Sequence, residues 1–105
     1  MSQYEKVADL HEVPEFGRKS WLLADEVPVI LVRLQEQYYC VEDVCSHDGQ
    51  PLTNGPIDDR QITCPRHGAK FDLATGAPTC MPATEPIQTF NVEVREDGIY
   101  VACDL

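Results

Sequence analysis

The feature that most limits what this chain can become is its dense punctuation by turn residues. Pro14, Gly17, Pro28, Asp48-Gly49, Asn54-Gly55-Pro56, Asp58-Asp59, Thr75-Gly76 and Asp97-Gly98 cut 105 residues into short pieces. The stretches between them are rich in Val, Ile, Tyr and Phe, the pattern of an all-β chain with short strands and frequent turns. Strands are expected at Tyr4 to Val7, Ser20 to Leu23, Val29 to Leu34 and Tyr38 to Val41. Near the C-terminus Phe90, Val92 and Val94 alternate with Asn91, Glu93 and Arg95. Asp97-Gly98 then turns the chain into Ile99-Tyr100-Val101, a β-hairpin. A short helical turn is expected at Ala8 to Val13, capped by Asp9.

Between about Glu42 and Pro82 the pattern changes. Turns dominate, with brief strand signals only at Gln61 to Thr63 and Lys70 to Leu73, and such a segment held between stronger strands is where a site tends to lie. This length fits one domain, 1–105. The longest apolar run, Val27 to Val32, contains a proline and falls far short of the ~20 residues of a membrane helix. The start, Met-Ser-Gln-Tyr-Glu, has no basic stretch followed by an apolar core, so a cytoplasmic protein is expected.

Charge narrows the partners. The formal net charge is −10, from 18 acidic and 8 basic residues, which argues against nucleic acid. It suits either brief, electrostatically steered encounters or simple solubility. Five cysteines are an odd number, and a disulfide framework is not expected without a secretory signal.

Two of those cysteines stand at metal-ligand spacing with histidines. Cys45-Ser46-His47 is followed, after sixteen residues, by Cys64-Pro65-Arg66-His67. Each half begins with a thiol and ends with an imidazole two or three residues later, so both side chains of a pair can converge on one centre. Gly49 and Gly68 follow closely, where positive φ and close backbone approach would let amides point at a buried anion. A tetrahedral zinc site is the rival reading. Against it stands the order C-H-C-H, with one residue inside the first pair, where zinc modules usually pair their cysteines and their histidines.

With this motif the chain resembles the Rieske [2Fe–2S] family over essentially its whole length. The resemblance implies an all-β Rieske (ISP-like) fold, an antiparallel β-sandwich base with a smaller cluster-binding subdomain at about 42–83. It implies one [2Fe–2S] cluster per chain, with Cys45 and Cys64 on the inner iron and His47 and His67 on the outer, more exposed one. Met81-Pro82-Ala83 lies where the family's third, cluster-covering loop would be. Around the ligands the residues of interest are Gly49, Gln50, Pro65, Arg66, Gly68, Ala69, Phe71 and Pro82.

Comparison within the family gives the class. High-potential members carry an extra cysteine in each ligand loop, joined as a disulfide, and the matching residues here are Gln50 and Arg66. Those members also have a serine and a tyrosine whose hydroxyls donate to the cluster and a cysteine ligand; here the matches are Ala69 and Phe71. Lost donors leave the reduced, more negative cluster less stabilised, so a low-potential ferredoxin is expected, near the lower end of the ~−150 to +300 mV Rieske range.

The expected role is a one-electron carrier, not itself an enzyme, passing electrons from an NAD(P)H-dependent flavin-containing reductase to a terminal oxygenase. A monomer that meets both partners transiently, without membrane or nucleic acid, fits this role. The electrons would leave through the exposed edge of His47 or His67. Alternatives are the small Rieske subunit of an assimilatory nitrite reductase, or a carrier linked to iron–sulfur cluster assembly. An oxygenase by itself is excluded, because after the four ligands only His11 remains for a mononuclear iron. No G-x-G-x-x-G fingerprint for direct hydride exchange occurs. Cys40 and Cys103 read as buried small apolar residues and Cys80 as packing near the covering loop. Trp21, Tyr38, Tyr39 and Phe90 read as core. Arg66 and Lys70, basic beside the motif, are either a docking feature or a solvated face.

Overall fold

The computed structural model describes residues 3–46, 49–66, 68–81 and 83–103. Its strands are β1 (Tyr4–Ala8), β2 (Arg18–Leu23), β3 (Val27–Leu34), β4 (Gln37–Glu42), β5 (Ile57–Asp58), β6 (Gln61–Thr63), β7 (Lys70–Asp72), β8 (Pro78–Cys80), β9 (Thr89–Phe90), β10 (Val92–Arg95) and β11 (Gly98–Ala102). All pair antiparallel, in three sheets ordered β1-β11-β10, β2-β3-β4-β9 and β5-β6-β7-β8. The described residues contain no helix, so none is long and apolar enough to cross a membrane.

The middle sheet explains the arrangement. Successive strand residues face opposite sides, and β3 buries Val29, Ile30, Leu31 and Val32 in an unbroken run. Ile30 and Val32 enter a cluster with Ile62 and Phe71 of the third sheet and with Leu73 just after β7. Val29 and Leu31 enter a second cluster with Val7, Ile99 and Val101 of the first sheet. A strand covered on both faces needs a continuous apolar sequence, not an alternating one. The same split runs along β4, where Tyr39 and Val41 face one cluster and Tyr38 and Cys40 the other.

The third sheet is formed between β4 and β9 along the chain, so it grows from the middle sheet and returns to it. Its return is anchored by Cys40 opposite Phe90 and Val41 opposite Thr89. Lys19 on β2 donates its ammonium to the Val7 carbonyl, and the Ala24 amide donates to Glu5, tying the first two sheets at their β1–β2 edge.

Three local expectations change. Phe90 does not continue into the C-terminal hairpin. It pairs with Cys40 in the middle sheet, whereas Val92 pairs with Val101 in the first, so the chain changes sheets at Asn91. The hairpin itself is present, but its connection is Glu96-Asp97. Gly98 is already in β11, where a side chain would strike the Ala8 carbonyl oxygen at 2.6 Å. Ala8 to Val13 is no helix. Ala8 closes β1, and a single turn follows in which the Glu12 amide donates to the Asp9 carbonyl at 3.1 Å. Asp9 does not cap it; its own amide donates to the Glu12 carboxylate.

The leftover cysteines differ in surroundings. Cys40 is buried in the second cluster, and burial pushes its thiol from the ordinary 9.0 up to about 12. Contrary to expectation, Cys103 is only half-buried, its thiol against the Gln3 carbonyl at the end of the first sheet, and Cys80 is exposed instead of packed. Since Cys40 is raised on folding, its contribution to stability is complete below about pH 9 and is lost as pH climbs toward 12. Iodoacetamide at pH 8 should therefore modify Cys80 in the folded protein and reach Cys40 only after denaturant is added, as read by peptide mass spectrometry.

Candidate metal centre

Cys45 follows β4 and Cys64 follows β6, both fully buried, and they meet in the cluster that holds Leu52, Ile62, Phe71 and Ala83. The backbone around each is the same. The Cys45 amide donates to the Gln50 carbonyl at 2.7 Å and the Gly49 amide to the Cys45 carbonyl at 2.7 Å. The Cys64 amide donates to the Ala69 carbonyl at 2.7 Å and the Gly68 amide to the Cys64 carbonyl at 3.1 Å. Both are therefore four-residue loops closed by the residue after a glycine at positive φ, 75° at Gly49 and 77° at Gly68. That explains the glycines, since other residues in this region cost 1–2 kcal/mol.

A third loop in the same sheet repeats the frame without a cysteine. The Asp72 amide donates to Ala77, the Gly76 amide donates back to Asp72, and Gly76 has φ 77°. Here the first residue's side chain shows what the frame offers. The Asp72 carboxylate accepts the amides of Ala74 at 2.8 Å and Thr75 at 3.2 Å, two and three residues on, and pairs with Arg60. Desolvation raises the Asp72 pKa, and these hydrogen bonds outweigh it, leaving the carboxyl below its ordinary value. The Asp72 frame thus holds an ionised carboxylate at its head. In the other two loops that side chain is a cysteine, which binds metal as a thiolate.

Neighbouring polar groups hold the loops in place. The Asp43 carboxylate accepts the Leu52 amide at 2.7 Å and the Thr53 hydroxyl, clamping the chain that leaves the first loop. Arg18 on β2 donates to the carbonyls of Thr53 and Gly55. The Ser46 hydroxyl donates to the Glu85 carbonyl at 2.6 Å, fastening the first loop to the segment after Met81. Of the expected covering segment, Ala83 is buried in the cluster with the two cysteines, Met81 is exposed, and Pro82 lies outside the described residues. Asp43, Arg18 and Ser46 are absent from the sequence-derived set. A short acid just before a turn-rich segment was the one signal that could have found Asp43.

Of the other expected residues, Ala69 and Phe71 are fully buried beside the cysteines, and Gly49, Pro65, Arg66 and Gly68 are exposed. Gln50 and Arg66, on different loops, line one groove. His47, His67 and Pro82 lie outside the described residues. No polar or charged side chain among the described residues is fully buried, and half-buried Tyr39 packs against the cluster that holds the two cysteines. Two thiols buried in one apolar cluster, each at the head of a loop of the same backbone form, fit a thiolate-ligated metal centre.

The comparisons with known proteins agree with this geometry. The model of the Rieske [2Fe–2S] domain matches residues 3–91. Ferredoxin CarAc of Metapseudomonas resinovorans is 41% identical over 75 residues, covering 71% of this chain and 70% of its own. The ferredoxin of carbazole 1,9a-dioxygenase from Nocardioides aromaticivorans IC177 superposes with a TM-score of 0.89 at 31% identity, covering 96% of this chain and 98% of its own. A ferredoxin solved in complex with the oxygenase of carbazole 1,9a-dioxygenase, in the oxidised state against a reduced oxygenase, matches with a TM-score of 0.87 at 33% identity, covering 94% and 92%.

The three loop glycines separate conformation from packing. A methyl at Gly49 or Gly68 would meet nothing within 4 Å, whereas at Gly76 it would lie 2.0 Å from the Ile87 carbonyl oxygen. Gly49→Ala and Gly68→Ala should each lower stability by about 1 kcal/mol. Gly76→Ala should cost on the order of 3 kcal/mol or more. Urea unfolding of the three variants checks the order.

Proposed function

The chain belongs to the Rieske [2Fe–2S] domain family, and on that premise we propose that it is a one-electron carrier whose cluster is held by Cys45, His47, Cys64 and His67. The cluster, when bound, supplies a couple that gains or loses a single electron. The observation that carries the ligand assignment is the meeting of Cys45 and Cys64 in one buried pocket at the heads of matching loops. His47 and His67, two and three residues beyond them in those loops, supply the imidazoles of the outer iron. The chain forms a single domain over 1–105, with residues of about 42–83 making the cluster-binding part.

The partners follow from the relatives. A similar ferredoxin is found bound to its terminal oxygenase, and this chain delivers electrons to an oxygenase of that general class. A flavin-containing reductase that oxidises NADH or NADPH charges it. The residues described here serve that task by holding and insulating the centre. Leu52, Ile62 and Phe71 keep water from the inner side, and the loop closures fix the two thiols relative to one another. The protein is a soluble cytoplasmic monomer in this reading.

Dithionite reduction followed by low-temperature EPR tests the proposal. A rhombic signal with the low average g-value of a histidine-ligated two-iron cluster is expected. A silent spectrum from zinc-loaded protein lacking acid-labile sulfide would overturn it.

The buried surroundings also set the potential. Ala69 and Phe71, buried in the cluster with the two cysteines, carry no hydroxyl that could donate to a reduced centre. Introducing one by Ala69→Ser should raise the midpoint potential, since the new bond favours the more negative state. A preference of about 1 kcal/mol corresponds to roughly 40 mV for a one-electron couple. Phe71→Tyr should shift it in the same direction. Protein-film voltammetry of the three proteins measures the change.

A further inference from the structure

The distribution of cations on this acidic chain is uneven in its bonding. Lys6 pairs with Asp9, Lys19 with Glu12, Arg60 with Asp72 and Arg95 with Glu93. Arg18 is spent on the Thr53 and Gly55 carbonyls, and Arg33 on those of Val13 and Gln35. Six of the eight basic side chains are thus occupied. Among the described residues, the side chains of Arg66 and Lys70 have neither an ion pair nor a hydrogen bond, and both residues are exposed, Arg66 within the second cysteine loop and Lys70 just after it.

Arg66 also lines a groove. About 380 Å³ of open space lies between the two cysteine loops, walled by Pro51 and Pro65, with Gln50, Asn54 and Thr53 as its polar lining. Its floor is rigid, because Asp43 clamps Leu52 and Thr53 while Arg18 holds Thr53 and Gly55. A guanidinium in an apolar-walled cleft with neighbouring amide groups matches a carboxylate, which it can take in two parallel hydrogen bonds.

We propose that the groove between the two cysteine loops, with Arg66 at its wall and Lys70 beside it, is the docking surface for an acidic side chain of the redox partner. This rests on the carrier reading above. On a chain of net charge −10, a positive feature beside the electron port selects orientation. A partner with a carboxylate next to its own port is drawn to this end, while the acidic remainder of the surface repels the same group. The partner meant is a protein that presents an Asp or Glu at its electron entry.

Stopped-flow oxidation of the dithionite-reduced holoprotein tests the field at the port, using ferricyanide as the anionic probe and hexaamminecobalt(III) as the cationic one. Wild type is compared with Arg66→Glu, Lys70→Glu and the remote control Lys6→Glu, which changes the net charge by the same amount. EPR and visible spectra first establish that each variant holds its cluster, so failure of the carrier reading is seen before any rate is measured. Arg66→Glu should slow ferricyanide and speed the cobalt complex, each by roughly tenfold at low salt, with the effect shrinking as ionic strength rises. Lys70→Glu should act in the same direction and Lys6→Glu should change both rates less than twofold. With cytochrome b5, an acidic protein oxidant, Arg66→Glu should cut the second-order rate severalfold, and Arg66→Lys should restore part of it. Equal effects of Arg66→Glu and Lys6→Glu, or none from either, would overturn the proposal, because only net charge would then matter.

Discussion

The two-sided burial of β3 is the constraint on which the rest of the molecule depends. Val29 and Leu31 complete one core and Ile30 and Val32 the other, so one strand of eight residues holds two packing layers in register. A single residue slip would exchange the two sets and present each core with the wrong side chains. The pairing with β4 fixes that register by opposing Ile30 to Val41 and Leu31 to Cys40. Since β4 leads directly into Asp43 and Cys45, the position of the first cysteine is inherited from the strand that both cores share.

What is built on this base is a set of small rigid loops, not a large pocket. The three loops starting at Cys45, Cys64 and Asp72 use the same two backbone hydrogen bonds and the same left-handed glycine. The Asp72 loop adopts the frame with an ordinary carboxylate at its head. The loop form is therefore an intrinsic solution of the chain, and the cysteines use it without needing to impose it. This arrangement suits a centre that should change charge with little movement, because the loops that carry its cysteines are closed by backbone hydrogen bonds formed on folding. Since the loops close on their own backbone, apolar residues such as Phe71 and Leu52 can fill the space beside them.

Much of this was legible in the sequence, and the parts that were not share a cause. The strands from β1 to β4 and the C-terminal hairpin follow from Val, Ile and Tyr content between turn residues. The pairing of Cys45 with Cys64 follows from their matched loops. Alternation alone could not show that Phe90 and Val92 belong to different sheets, since period two survives a change of partner at Asn91. Gly98 looked like a turn residue, yet its absent side chain serves the close approach of the Ala8 carbonyl. β5 and β8 are two and three residues long, too short for a propensity signal. Asp59 and Arg60 both take positive φ at the β5–β6 turn with no glycine to announce it. Each of these is decided by a tertiary neighbour, which composition and period do not record. The roles of Asp43 and Arg18 are hidden for the same reason, because each acts on backbone groups far along the chain.

The surface completes the logic of the interior. A carrier has to hold its centre tightly and its partners loosely, so the strong interactions belong inside and the weak, salt-sensitive ones at the port. Here the described cations away from the port are neutralised by neighbouring acids or drawn onto carbonyl oxygens. Among them Lys19 braces sheet to sheet and Arg18 braces strand to loop. At the cysteine loops the balance reverses. The loops are already closed by backbone hydrogen bonds and by Asp43, so Arg66 and Lys70 are not needed to hold them and their charges stay in solvent. A basic side chain left outside the bonding of an acidic protein is available for encounter, and on the docking proposal its position beside Cys64 would decide which end of the molecule meets the partner first.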